Sequence, residues 1–137
     1  LRNKGRPDLD RYPTREELRS MAWQSVAGGA NGILWYAASM IFHRAKTDPQ
    51  ESERCWSDLV AVAAELSGKM SYFISEEIPP AVQSEPAVIA VRAFRLGGKT
   101  AVLAANRTSK PASGEIRLAD GKQLQVALPP YGVHWFE

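Results

Sequence analysis

The sequence predicts a mixed chain, α/β in its first half and all-β in its second, and three observations carry that division. A helical apolar stripe, a turn rich in glycine and the run Ile33-Leu34-Trp35-Tyr36, which lacks period-two alternation, read as a helix followed by a strand covered on both faces. A second and longer helical stripe comes next, completing the helix–strand–helix unit that repeats in α/β layers and barrels. From residue 88 onward the apolar period becomes that of short strands joined by glycine turns.

The totals bound the reading. With 137 residues, 45% of them hydrophobic, the chain can bury the core of one domain, or of one small domain and part of another. Its 17 basic and 15 acidic residues are interspersed, with a net charge of +2 and no run of like charge, so no nucleic-acid partner and no anionic membrane surface is expected. The single cysteine, Cys55, excludes an internal disulfide and a Cys-rich metal site, and its helical setting reads as a buried or half-buried thiol. No apolar run approaches the length of a membrane span, and no basic-then-apolar leader precedes a cleavage site. The chain opens at Leu1 in a polar stretch, which suggests a piece of something longer.

Residues 1–12 read as loop or tail. Helix 14–27 starts at Thr14, whose hydroxyl can accept from the amide of Glu17 while the Glu17 carboxylate reaches back, a reciprocal capping box. Leu18, Met21, Ala22 and Val26, with Trp23 beside them, form its apolar stripe, and Gly28 and Gly29 suit its end. Strand 33–36 follows, then a loop over 37–47 that is unusually apolar for surface and of the kind that folds over a site. Helix 49–73 starts on Asp48 with Pro49 at its first position. Trp56, Leu59, Val60, Ala63, Leu66, Met70 and Phe73 give it a wide stripe that reads as core, and Gly68 allows either one helix to Phe73 or a break near Ser67. Acidic and proline-rich residues 76–86 read as a linker. Five strands, 88–96, 100–106, 114–118, 123–128 and 131–136, then make a C-terminal antiparallel β domain over 87–137. Alternation such as Glu115-Ile116-Arg117-Leu118 leaves one dry and one wet face.

Few residues offer chemistry. The fifteen acids fall on helix starts, the linker, hairpin turns and wet strand faces, so no carboxylate pair for glycoside hydrolysis is expected within the chain, and no catalytic residue is assigned. His43 and His134 stand too far apart in this fold to share a metal. His43 can hydrogen-bond a ligand near the strand end or stand in a surface loop, whereas His134 is a sheet-face residue. No nucleophile elbow or phosphate loop is present, and neither metal nor cofactor is expected. Asn106-Arg107-Thr108 matches the N-glycosylation acceptor pattern. Trp35 and Tyr36 end the buried strand, where a flat apolar indole with one N–H can stack on a sugar or pack under the next helix.

The run from Arg11 to Met21, followed by Ala27-Gly28-Gly29-Ala30-Asn31-Gly32-Ile33-Leu34-Trp35-Tyr36, resembles the last βα units of (β/α)8-barrel glycoside hydrolases of the β-galactosidase-like superfamily. Leu103-Ala104-Ala105-Asn106-Arg107-Thr108 and Leu128-Pro129-Pro130-Tyr131-Gly132-Val133 are similar to the small antiparallel domain that often follows such barrels. The resemblance implies that residues 1–75 are the closing elements of a TIM barrel: its seventh helix, its eighth strand and its eighth helix. A β-sandwich domain would follow. It also implies a carbohydrate substrate, a sugar-facing role for Trp35 flanked by Tyr36 and His43, and a cis peptide between Trp35 and Tyr36. The other strands and both glutamates of the family pattern are absent, so hydrolysis would need the remainder of the barrel, and the isolated chain is expected to be inactive. The rival from another class is a non-catalytic accessory module that binds carbohydrate or a protein partner.

Overall fold

The computed structural model describes residues 11–35 and 38–137. Helix α1 (Arg15–Ala27) begins as its sequence dictates. The Glu17 amide donates to Thr14 Oγ1 at 3.3 Å, and the Thr14 amide donates to Glu17 Oε2 at 2.8 Å. Arg11 completes the start with a two-pronged grip on the Glu17 carboxylate at 2.6 and 2.7 Å. Leu18, Ala22, Trp23 and Val26 are buried, whereas Met21 of the expected stripe is 57% exposed and Trp23 takes the inward place.

The apolar segment after residue 37, expected as loop, is helix α2 (Ala38–Arg44). It packs on α3 (Pro49–Ser67), where the Ser52 hydroxyl donates to the Ile41 carbonyl at 2.8 Å. Asp48 caps α3 by accepting from the Glu51 amide, with Pro49 in the first turn. The chain breaks at Gly68 and resumes as the short α4 (Met70–Phe73), the second of the two outcomes that Gly68 allowed. The stripe on α3 divides: Cys55, Val62 and Leu66 are buried, but Trp56, Val60 and Met70 remain 42–47% exposed and are not core within this chain.

The stretch expected as linker contains a strand. β1 (Val82–Glu85) pairs antiparallel with β4 (Ala112–Leu118), which pairs in turn with β5 (Gln123–Leu128). Proline on either side bounds β1, because a ring nitrogen cannot donate to a ladder. β2 (Ile89–Leu96), β3 (Lys99–Asn106) and β6 (Val133–Phe136) form a second antiparallel sheet in the order β2-β3-β6. Gly97 and Gly98, at φ 58° and 76°, make the tight turn between β2 and β3 that side chains with a Cβ resist. The Glu77 carboxylate accepts both their amides, pinning the acidic stretch to this hairpin.

The two sheets face each other across Ile89, Val102, Ile116, Val126 and Leu128, a dry interior of sandwich type. The opposite face of the β2-β3-β6 sheet carries Phe94, Leu103 and Trp135, and the helices cover it with Trp23, Val26, Val62, Leu66 and Phe73. The order is therefore helices, sheet, sheet. Alternation along β3 explains it, since Leu103 faces the helices while Val102 and Ala104 face the other sheet.

Residues 33–35, the described part of the expected strand, belong to neither sheet. Leu34 is 90% exposed, and Ile33 and Trp35 are half-buried against the helical cluster, so the run is not covered on both faces by the described residues. A parallel strand needs backbone partners beside it, and both described sheets are closed sets of antiparallel strands from 82–136. The expected cis bond between Trp35 and Tyr36 lies outside the described residues. Among the described residues no helix is long and apolar enough to cross a membrane.

Two predictions follow from this packing. A Cβ at Gly114 would meet the Glu85 carbonyl oxygen at 2.0 Å and Pro86 Cδ at 2.7 Å, both part of a rigid backbone turn. Gly114→Ala should therefore lower stability by about 2–4 kcal/mol, read as a shift of the denaturant midpoint at constant slope. The hydrogen bonds of Arg11 and then of the Thr14 amide hold the Glu17 carboxyl down from 4.5 to about 2. A depressed carboxyl stabilises the fold above its unfolded value, and that contribution is lost as pH falls from 4.5 toward 2. NMR titration should place the Glu17 midpoint near 2 in the unaltered chain and return it toward 4.5 in Arg11→Ala.

Candidate functional site around Trp35

Trp35 owes its place to how α1 ends. The amides of Gly28 and Gly29 donate back to the Gln24 and Val26 carbonyls at 2.9 and 3.0 Å, and the Ala30 amide donates to Ser25 at 3.0 Å. These bonds stop the helix and turn the chain back toward α3. Trp35 then stands between two hollows. The larger, about 380 Å³, opens between α1 and α3 and is lined by Leu18, Met21, Leu34, Ile41 and Leu59. The smaller, about 100 Å³, lies over Val26, Asn31, Leu66, Met70 and Phe73. Both walls are mainly apolar, which suits the flat hydrophobic face of a ring.

The polar groups of the larger hollow are Tyr12, Ser25, Cys55 and Asp58. Among the described residues that line it Asp58 is the one acid, and it accepts from Arg54 Nη1 at 2.7 Å, so its charge is already matched. Glu51 grips the same guanidinium at 2.7 Å, and the Arg54 pKa is held above its ordinary value, first by that bond. Cys55 is buried, as its helical setting implied, and burial pushes its thiol up, away from the reactive thiolate. These groups lack the paired free carboxylates that glycoside hydrolysis requires. The site as it stands can hold a flat apolar face but offers no proton donor matched to a nucleophile.

Of the expected site residues, Trp35 lines the hollows and His43 does not. Trp35 lines both hollows, and Tyr36 lies outside the described residues. His43 is exposed on α2 and lines neither hollow, because the segment that carries it coils into a helix instead of folding over Trp35. His134 is exposed on β6 with its ring 4.3 Å from that of Phe136, a sheet-face residue. Among the described residues no group of His, Cys, Asp and Glu could hold a metal.

Three polar residues organise the surroundings: Arg92 and Glu65, for which the sequence suggests no role, and Asn106, which it marks only through a glycosylation pattern. Arg92 on β2 reaches the end of α1. Glu65 on α3 accepts three bonds from Arg19 Nε and Nη2 at 2.7–3.0 Å and a fourth from Trp23 Nε1 at 3.2 Å, locking α1 to α3. Asn106 is fully buried: its amide nitrogen donates to the Lys110 and Pro129 carbonyls, and its oxygen accepts from Thr108. The Asn106-Arg107-Thr108 triplet is thus a turn clamp whose amide protons are both engaged. No local pattern could have revealed Glu65 or Arg92, since their partners lie tens of residues away. Asn106 did carry a signal in its side-chain turn chemistry with Thr108.

No protein-family model matches this chain, and no curated protein matches it. Glu65→Ala leaves the buried indole N–H of Trp23 and the Arg19 guanidinium without their shared acceptor. It should cost about 1–3 kcal/mol in chemical denaturation, the range for a partly desolvated charged acceptor.

Proposed function

We propose that this chain is the C-terminal part of a (β/α)8-barrel glycoside hydrolase. It supplies a substrate-stacking tryptophan, Trp35, and a structural β module, while the catalytic glutamates lie outside the chain. The observation that carries this reading is the apolar run over residues 33–35, which joins neither sheet of the described residues and leaves Leu34 90% exposed. An apolar run outside both described sheets, with an apolar hollow of about 380 Å³ beside it, supports the reading of a barrel segment whose neighbouring staves lie elsewhere. On this reading α1 and α3 are the seventh and eighth outer helices, and Trp35 ends the eighth strand at the carbohydrate-binding mouth. The remainder of the barrel is the partner that completes the site.

One observation favours a second reading, a non-catalytic module that binds a protein partner. Phe42 and Trp56 form an exposed aromatic pair with ring centroids 5.3 Å apart on α2 and α3. Such a pair is the usual anchor of a protein interface.

The natural product and its activity separate the two. The hydrolase reading expects upstream coding sequence with a glutamate ending an apolar strand and another further back, and expects the full-length product to hydrolyse aryl glycosides. In that product Trp35→Ala should lower kcat/KM by about 10- to 100-fold, the loss of one good aromatic contact to the reacting sugar. A native product near 15.1 kDa without hydrolytic activity would instead establish the accessory module.

A further inference from the structure

Helix α1 closes on its own backbone, through the Gly28, Gly29 and Ala30 amides, and needs no outside group to stop. Yet Arg92, from β2 in the sheet beneath, sends its guanidinium to the same place. Its Nη1 donates to the Val26 carbonyl at 2.9 Å and to the Ala30 carbonyl at 2.8 Å, and its Nη2 donates to Asn31 Oδ1 at 2.5 Å. The guanidinium lies 4.8 Å from the Phe94 ring centroid, so an aromatic face backs it. Burial holds its pKa below the ordinary value, yet an arginine stays charged at any ordinary pH.

An arginine is a planar fork whose donors point in fixed directions, so acceptors at Val26, Ala30 and Asn31 define more than a helix end. They define the direction in which the chain leaves it. Asn31 and Trp35 line the same hollow of about 100 Å³, with only three residues between them. We infer that Arg92 is the positioning residue for Trp35. By tying the exit of α1 and the Asn31 side chain to the second strand of the β module, it holds the Gly32–Trp35 run where the indole stands between the two hollows. The β module is then a mount for the aromatic site as well as a cap. The functional weight of this inference rests on the sugar-stacking role proposed for Trp35.

The test uses the full chain labelled with fluorotryptophan, whose four tryptophan signals are assigned by Trp→Phe replacement. Broadening by a soluble gadolinium chelate reads how open each indole is to solvent. Arg92→Met keeps the apolar stem and removes the fork, and Asn31→Ala removes one acceptor. In each, the Trp35 broadening should rise about twofold while Trp23 and Trp135 keep theirs, as expected of a local opening. The double variant should show no more than the larger single effect, since both remove one interaction. Asp48→Ala, which weakens the cap of α3, is the control for general loss of stability and should leave the Trp35 signal in place.

An unchanged Trp35 signal in both Arg92→Met and Asn31→Ala would overturn the inference. So would equal loosening of all the tryptophans, reproduced by Asp48→Ala. Should Arg92→Met fail to fold, Asn31→Ala decides. Methyl β-galactoside added to the full-length product supplies the separate arm: no movement of the Trp35 signal there counts against the stacking role and leaves the positioning result standing.

Discussion

The fold depends on an aromatic knot between the helices and the sheet beneath them. Trp135 stacks on Phe94 at 5.3 Å and meets the edges of Tyr72 and Phe73 at 5.4 and 6.2 Å, while Trp23 lies 5.9 Å from Trp135 and 6.1 Å from Phe73. These rings come from α1, α4, β2 and β6, elements spread over most of the chain. Offset and edge-on contacts add to the area each ring removes from water, and a close-packed knot transmits displacement instead of absorbing it. Lys69 reinforces its border by lying over the Trp135 ring and reaching Glu137, whose carboxylate also takes the Trp135 indole N–H. The helical layer is therefore seated on the β module through side chains that must all be present together.

The site inherits its geometry from that seating. With α1 held by Trp23 and Glu65, the turn after Ala27 has one direction to take, and the run to Trp35 follows it across the end of α3. The walls on either side of Trp35 are the same helices whose inner faces build the knot. The apolar hollow next to the half-buried tryptophan offers a flat hydrophobic surface, and the acid among its described lining residues is already paired. Its lack of free carboxylates is why the proposed hydrolytic role assigns the proton transfers to groups beyond this chain.

Where local rules governed, the sequence was legible. Thr14 and Glu17 announced the start of α1, Asp48 and Pro49 that of α3, and Gly68 its break, since capping and backbone freedom act within a few residues. The five later strands stood out by their alternation, and Gly97-Gly98 and Asp120-Gly121 marked their turns. Residues 33–35 had a strand's composition but no partner among the described strands, and composition alone cannot supply backbone hydrogen bonds. β1 was hidden for the opposite reason: Val82-Gln83-Ser84-Glu85 has little strand propensity and becomes a strand because β4 presents an edge to it.

The sequence by itself determined the starts of α1 and α3 and the antiparallel character of the second half, consequences of short-range sterics and hydropathic period. Only the tertiary structure decided which side of each stripe was covered, turning Trp23 inward and leaving Met21, Trp56 and Val60 outward. It also decided that His43 stands apart from Trp35, and that Arg92 and Glu65 anchor elements distant in the chain. The reason is physical: a period names a face, but which neighbour meets that face depends on contacts between residues that the chain order does not place together.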